Sequence, residues 1–237
     1  MKPDELGING FVLLQDETLL KLGTDAMLLS DFARIPYRAK VADLGCGNGA
    51  ILILLAARHD SCILHGVEIQ ERSAKLIEEN IRLNNISDRA FAHLADLREL
   101  PPTLTPGSFD VVVSNPPYMK PESGLKTENT ALRKARMEID CTIDDVCRAA
   151  SRLLKFGGSF SLVYRPDRLA ELFSALKAHD LAPKRMRMVQ NKSDAEPSLV
   201  LLEARKGGKD GMAHLPALII REQNGEETAE VKAIYRR

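Results

Sequence analysis

The chain has 237 residues, 44% of them hydrophobic and 28% charged, which is the ordinary composition of a globular domain with a sizeable core. Basic and acidic residues both number 33, so no overall positive charge indicates a large nucleic-acid surface, although a local basic patch is compatible with this balance. The spacing of the cysteines and histidines does not predict a zinc site, any other metal site or a disulfide scaffold. Without a signal peptide or an apolar run of about 20 residues, we expect a cytoplasmic protein that does not span a membrane.

Residues 1–38 are predicted to form an extension before the core. The sequence of residues 11–22 favours a hairpin, and Thr24 is a candidate N-cap for a helix over residues 25–35. After the core, residues 206–211 are predicted to be a flexible basic loop. A strand over residues 215–220, a turn at Asn224-Gly225 and a short helix over residues 228–235 complete the predicted tail, residues 205–237.

Strand-like and helix-like segments alternate through residues 39–204, the predicted core. The strands are expected at residues 41–44, 63–68, 91–95, 109–114, 159–164, 185–190 and 198–204. The helices are expected at residues 50–58, 73–84, 142–154 and 167–179, with Gly157-Gly158 as a stop signal for the third. This alternation predicts an α/β fold, a parallel, doubly wound sheet with helices on both faces, within one domain of residues 1–237. Ligands bind such sheets at the carboxyl ends of the strands.

A glycine-rich loop, Gly45-x-Gly47-x-Gly49, follows the first core strand and opens a helix. Its spacing differs from the Gly-x-Gly-x-x-Gly of dinucleotide-binding proteins and favours S-adenosylmethionine (SAM). Acidic residues also end three strands. We expect Asp43 to orient the methionine part of SAM, Glu68 to bind the ribose hydroxyls and Asp96 to accept from the adenine amino group. The alternative interpretation is that these acids cap helices or turns. Further candidate cofactor residues adjoin these positions: Asn48, Ile69, Leu97 and Asn115.

The tetrapeptide Asn115-Pro116-Pro117-Tyr118 follows a short, β-branched strand that we expect to be fully buried. Its prolines make the turn stiff, because they fix the backbone angle φ and donate no hydrogen bond. Such a turn suits a planar amino group on a ring: the Asn115 side chain and the Pro116 carbonyl accept its N–H bonds, and Tyr118 stacks on the ring. These contacts strengthen as positive charge develops on nitrogen, which favours methyl transfer. The alternative is a proline-rich turn in which the asparagine caps a loop.

Residues 119–137 form a polar segment next to this tetrapeptide. Its basic side chains are candidate substrate contacts, particularly for phosphate groups: Lys120, Arg133, Lys134 and Arg136. A solvated charged loop explains the same composition equally well.

Several segments together resemble the bacterial tRNA1(Val) adenine-N6 methyltransferases. They are residues 22–26 (Leu-Gly-Thr-Asp-Ala), 43–49, 115–118, 135–136 and 205–208 (Arg-Lys-Gly-Gly). The resemblance spans nearly the whole chain and implies a seven-stranded class I methyltransferase fold. It also implies that Gly23, Thr24 and Asp25 pack over the methionine part of SAM. Two positions depart from the family pattern: Met119 replaces a common aromatic residue, and Met137 replaces a common histidine.

The leading hypothesis is therefore a SAM-dependent methyltransferase that acts on the exocyclic N6 of an adenine beside the anticodon of a tRNA(Val). The same tetrapeptide also occurs in enzymes for guanine-N2 of ribosomal RNA and glutamine-N5 of proteins. A catalytically silent SAM-binding module is the alternative outside the enzymes. The sequence does not indicate the oligomeric state.

Overall fold

The computed structural model describes residues 3–16, 22–116 and 141–236. Six predicted site residues lie outside the described residues: Pro117, Tyr118, Lys120, Arg133, Lys134 and Arg136. Their predicted roles stay predictions.

The amino-terminal part consists of a short antiparallel pair, β1 (Asp4–Glu5) and β2 (Val12–Leu13), followed by helix α1 (Thr24–Phe32). The turn of this hairpin is made by the Gly-Ile-Asn-Gly run at 7–10, whose two glycines have φ of 68° and 74°. The predicted hairpin over residues 11–22 includes residues 17–21, which lie outside the described residues. Helix α1 begins at Thr24 itself, with Gly23 as N-cap and no side-chain cap. It ends at Phe32, short of the predicted residue 35, since Pro36 disfavours helical geometry at the residue before it.

The core alternates strands and helices in the predicted order. Its elements are β3 (Lys40–Leu44), α2 (Ala50–Arg58), β4 (Ile63–Glu68), α3 (Glu71–Leu83), β5 (Ala90–Leu94), β6 (Phe109–Ser114), α4 (Ile143–Leu153), β7 (Leu154–Tyr164), a 3₁₀ turn (Pro166–Arg168), α5 (Leu169–Ala178), β8 (Leu181–Gln190) and β9 (Pro197–Lys206). The tail adds β10 (Ala213–His214), β11 (Leu218–Ile219) and α6 (Ala229–Ile234). The predicted tail strand is thus two short strands that flank Pro216, which cannot donate to a ladder.

The seven long strands form one sheet in the order β8–β9–β7–β6–β3–β4–β5, and the short β10 and β11 extend it beside β8. Within this sheet β9 is antiparallel to both β7 and β8, and the other pairings are parallel. The α/β class and the seven-stranded, mostly parallel sheet are confirmed.

Alternate residues of the central strands supply two hydrophobic layers. Val41 and Val111 face α1, α2 and α3, and the tail helix α6 joins this layer through Val231. Ala42 and Val112 face α4 and α5 on the opposite side. Central parallel strands buried on both faces place the polar loops at the strand ends, which is where the candidate site lies. Among the described helices, none has the length and apolar character that crossing a membrane requires.

The interpretation of Gly157-Gly158 as a helix stop is wrong. Helix α4 ends at Leu153, and β7 begins at the next residue and runs through both glycines. Gly157 has φ of 78°, and a methyl group at Gly158 would lie 3.0 Å from the Asp110 carbonyl oxygen. The two glycines therefore allow the shift in register that the β6–β7 pairing shows between Phe109 and Val111.

Candidate active site

The loop between β3 and α2 contains the three glycines, with φ of 67° at Gly45, 56° at Gly47 and 81° at Gly49. A methyl group at Gly45 or Gly47 would meet no atom within 4 Å, so this backbone borders open space. At Gly49 the methyl group would lie 3.1 Å from Ile77 of α3. The first two glycines can thus admit a ligand to the backbone, and the third allows α2 and α3 to pack closely.

The end of β4 holds this loop in place through backbone hydrogen bonds. The amides of Gly45 and Cys46 donate to the Val67 carbonyl oxygen at 2.9 and 3.1 Å. The Gly47 amide donates to Glu68 Oε2 at 2.8 Å, and the Asn48 Oδ1 accepts from the Ala50 amide at 3.1 Å. The loop conformation therefore depends on β4, and the Asn48 side chain closes a local turn onto the first residue of α2, whose N-cap residue is Gly49.

Asp43, near the end of β3, is a buried acid with a relative exposure of 1%. Neither carboxyl oxygen makes a hydrogen bond to a residue of the described chain. Burial and, to a smaller extent, the nearby Glu68 carboxylate together raise the pKa of Asp43 to about 8, and the backbone amide of Leu52 acts in the opposite direction. A buried carboxyl without donors is costly, so a ligand that brings a positive charge or N–H groups would relieve this cost.

Glu68 lies beside Asp43 and is also buried. Its two carboxylate oxygens accept from the amides of Gly47 at 2.8 Å and Gln70 at 2.9 Å. Burial raises the pKa of Glu68, and the surrounding backbone amides oppose this effect. Each oxygen has a second lone pair, so Glu68 can still accept from hydroxyl groups. The next residue, Ile69, exposes 37% of its surface at the same edge.

Asp96 follows β5 at the expected edge, but it already has a partner. Arg98 donates to it from Nε at 3.0 Å, from Nη2 at 2.6 Å and from its backbone amide at 2.8 Å. These hydrogen bonds lower the pKa of Asp96. An adenine amino group that contacts Asp96 would have to share the carboxylate with Arg98. The sequence spacing did not indicate this pairing of Asp96 with Arg98. Leu97 is half-buried against the α4 and α5 layer.

The three predicted residues of the extension lie together at the amino end of α1. Gly23 is the N-cap residue, Asp25 is in the first turn, and the Thr24 hydroxyl accepts from the Tyr235 hydroxyl at 3.5 Å. The rest of α1 packs against α2, the helix that follows the glycine loop. The tail thus contacts the segment that the family resemblance assigns to the cofactor.

Asn115 and Pro116 follow β6 directly, next to the end of β3. The two strands pair in register, with Leu44 opposite Ser114. The buried Ser114 hydroxyl donates to the Leu44 carbonyl oxygen at 2.8 Å, which ties the two strand ends together. Asn115 is half-buried and Pro116 buried. The structure therefore brings the start of the tetrapeptide and the glycine loop to one edge of the sheet.

Sequence reasoning missed Ser114, Asn80 of α3 and Asn84, the C-cap residue of that helix. Asn80 Oδ1 accepts from the Leu14 amide at 2.6 Å, and its Nδ2 donates to the carbonyl oxygens of Leu14 and Asn48 at 3.1 and 3.3 Å. Asn84 exchanges the same pair of bonds with Val12 at 2.8 and 2.9 Å. These amides pair with the amino-terminal segment as a strand would, and Asn80 connects it to the glycine loop. Two asparagines four residues apart in an amphipathic helix were the available signal.

No cluster of histidine, cysteine, aspartate or glutamate that could hold a metal ion occurs among residues 3–16, 22–116 and 141–236.

Comparison with known proteins agrees with this geometry. The model of the family described as "Methyltransferase small domain" matches residues 20–179. A tRNA1(Val) (adenine(37)-N6)-methyltransferase of Parabacteroides distasonis is 30% identical over 228 residues, which cover 95% of this chain and 94% of that protein. The protein of the same name from Yersinia pseudotuberculosis is 30% identical over 167 residues, which cover 70% of this chain and 65% of that protein.

Solved structures show the same fold. A predicted O-methyltransferase of Agrobacterium tumefaciens superposes with a TM-score of 0.74 at 24% identity, covering 90% of this chain and 97% of that one. TrmN of Thermus thermophilus gives a TM-score of 0.56 at 23% identity, covering 76% of this chain and 48% of that one. The chain therefore belongs both to the methyltransferase small domain family and to the family of the tRNA1(Val) (adenine(37)-N6)-methyltransferases.

Proposed function

We propose that this protein is a SAM-dependent N-methyltransferase that modifies the exocyclic N6 of the adenine beside the anticodon of a tRNA(Val). The observation that carries the proposal is the adjacency of Asn115-Pro116 to the glycine loop, fixed by the pairing of β6 with β3. Methyl transfer between two bound groups depends chiefly on positioning, and this adjacency supplies it. The cytoplasm, where tRNA is modified, is the proposed location.

The described residues fit SAM. The open backbone at Gly45 and Gly47 would admit the ligand, and the unpartnered carboxyl of Asp43 would face its ammonium group directly or through water. Glu68 would accept from the ribose hydroxyls, with Ile69 and Leu97 beside the adenine and Asp96 shared with Arg98. Gly23, Thr24 and Asp25 would contact the methionine part. When bound, SAM supplies a methyl group attached to a positively charged sulfur.

The residues of the second motif act on the target amine. An exocyclic amine is a poor nucleophile, because its lone pair is delocalised into the ring. The Asn115 side chain and the Pro116 carbonyl oxygen accept its two N–H bonds, which favours a lone pair localised on nitrogen and stabilises the positive charge that develops there. Tyr118 stacks on the base, which must leave its own stack to enter. Pro117 keeps the turn stiff, and Lys120, Arg133, Lys134 and Arg136 contact phosphates.

A substitution at Asn115 tests this assignment. Asn115→Ala should lose methyl transfer by at least about 100-fold, the scale for removing one preorganised polar contact, and its loss of SAM affinity in calorimetry should be much smaller. Glu68→Gln is the matched control on the cofactor side and should weaken SAM affinity instead. Full activity of the Asn115 variant would refute the proposed role of the motif.

A further inference from the structure

An exposed aromatic ring lies at the edge of the sheet opposite Asn115. Phe156, near the start of β7, exposes 80% of its surface. A methyl group at Gly207, just after β9, would overlap the Phe156 ring, so the ring rests directly on the Gly207 backbone. Gly207 has φ of 64°, a geometry that favours glycine. The ring is thus supported on one side by a backbone without a side chain and is open to solvent on the other.

Basic residues lie on the segments that neighbour this ring. Lys184 Nζ donates to the carbonyl oxygen of Lys209 and, at 3.4 Å, to that of Gly211. Lys206 Nζ donates to the carbonyl oxygens of Ser151 and Leu154 at 2.6 and 2.9 Å. Carbonyl oxygens hold these ammonium groups in place without neutralising their charge.

The neighbouring segments add further charge. Lys155 pairs with Asp110, whereas Arg152, Arg205 and Lys209 form no ion pair within the part of the chain that the structure describes. The neighbouring segments are residues 107–110, 152–156, 180–184 and 205–211. They carry six basic residues, Arg152, Lys155, Lys184, Arg205, Lys206 and Lys209, and three acidic residues, Asp110, Asp180 and Asp210. This local excess contrasts with the zero net charge of the whole chain. We call Phe156, Lys184, Arg205, Gly207, Gly208 and Lys209 the Phe156 surface.

We propose that the Phe156 surface is a second contact for the RNA substrate, in which the ring stacks on an unpaired base and the basic residues bind the flanking phosphates. This inference rests on the proposed function. A supported, exposed ring among uncompensated cations has the two features that single-stranded RNA requires, a stacking platform and a positive surface. A protein partner would instead be expected to meet a larger apolar centre with fewer charges.

The distance between the two sites suits one RNA. The six residues of β6 separate them by roughly 20 Å at about 3.3 Å per strand residue. A single RNA-binding domain can follow a helix over about 16 base pairs, so one folded RNA can touch both edges of the sheet. The Phe156 surface would therefore contact nucleotides outside the loop that carries the target adenine.

The test compares full-length tRNA(Val) with its isolated anticodon stem-loop as substrates of the whole protein. Phe156→Ala should weaken binding of the full-length tRNA by about 5- to 150-fold, the effect of losing one stacked base, as measured by fluorescence anisotropy. A double variant, Arg205→Ala with Lys209→Ala, should reduce the slope of log affinity against log salt by about 2. Methylation of the stem-loop and SAM affinity should stay unchanged, which also shows that the variants are folded.

Matched controls come from another face. Phe91→Ala removes an exposed aromatic residue of β5, and Lys75→Ala with Arg82→Ala removes two positive charges from α3. Wild-type affinity and salt slope in the Phe156 surface variants, or equal losses in the controls, would overturn the proposal. If the wild-type protein methylates no tRNA, the proposed function fails, but the salt-slope comparison on tRNA binding still decides the role of the surface. Absence of any tRNA binding would overturn both.

Discussion

Replacing the buried Asp43 by asparagine should stabilise the cofactor-free protein, increasingly so as the pH rises. Asp43 has a pKa near 8 in the folded protein against an ordinary value of 3.8, because burial disfavours its ionised form. In the unfolded chain it ionises at about pH 4. Between these two values the folded state binds one proton more than the unfolded state, so stability falls with rising pH by about 1.4 kcal/mol per pH unit.

From pH 4 to pH 7 this loss amounts to about 4 kcal/mol, and the Asp43→Asn protein should escape it, because an amide does not titrate. Urea unfolding of both proteins at several pH values between 5 and 8, without SAM, measures the difference. The same variant should bind SAM more weakly, because the amide does not replace a carboxylate that faces an ammonium group. Stability gained at the expense of binding is expected where a functional group is buried without a partner.

Asp110→Asn is the matched control in the neighbouring strand. Burial alone would raise the pKa of Asp110, but hydrogen bonds from Lys155 and the Lys40 amide lower it. A lowered pKa stabilises the fold above the ordinary pKa near 4, and this contribution is lost only as the pH falls below it. The Asp110→Asn protein should therefore be less stable than wild-type by an amount that stays constant from pH 5 to pH 8. A constant difference in unfolding free energy between wild-type and the Asp43 variant from pH 5 to pH 8 would refute the reasoning.

Three further substitutions test how the site is built. Gly47→Ala places a methyl group in the open space beside the loop, at a residue with a positive φ. It should weaken SAM binding at least about tenfold in calorimetry. Unchanged affinity would contradict the role of this backbone. Ser114→Ala removes the hydrogen bond to the Leu44 carbonyl oxygen. It should lower the free energy of unfolding in urea by about 1–3 kcal/mol and should also lower kcat. Wild-type values for both would show that this hydrogen bond is dispensable. Asn80→Ala removes the partner of Leu14 and should expose residues 3–16 to limited proteolysis, with the surface variant Glu79→Ala as control; equal digestion of both would refute the docking role.

Local patterns were sufficient to predict the order of the core elements. The β-branched run of β6 and the glycine loop before α2 each determine their structure within a few residues, so both were assigned correctly. The positions of Glu68 and Asp96 at strand ends followed from the same pattern, because parallel strands bring their carboxyl ends to one edge.

The differences arise where a distant part of the chain decides the local structure. Gly157 and Gly158 look like a helix stop, but their conformation depends on the approach of β6. The pairing of Asp96 with Arg98 depends on the fold of the loop after β5, and Asn80 is explained only by the amino-terminal segment that lies against it. The Gly157-Gly158 and Asp96–Arg98 contacts leave no periodic signal in the sequence, and the spacing of Asn80 and Asn84 does not identify their partner.

Methyl transfer from labelled SAM to total tRNA, taken from a strain without this gene and followed by nucleoside analysis, is the decisive measurement for the proposed activity. We predict label in N6-methyladenosine of a valine tRNA, at the adenine beside the anticodon, and none with the Asn115→Ala protein. Label in N2-methylguanosine of ribosomal RNA or in protein glutamine, with unlabelled tRNA, would contradict the proposed substrate.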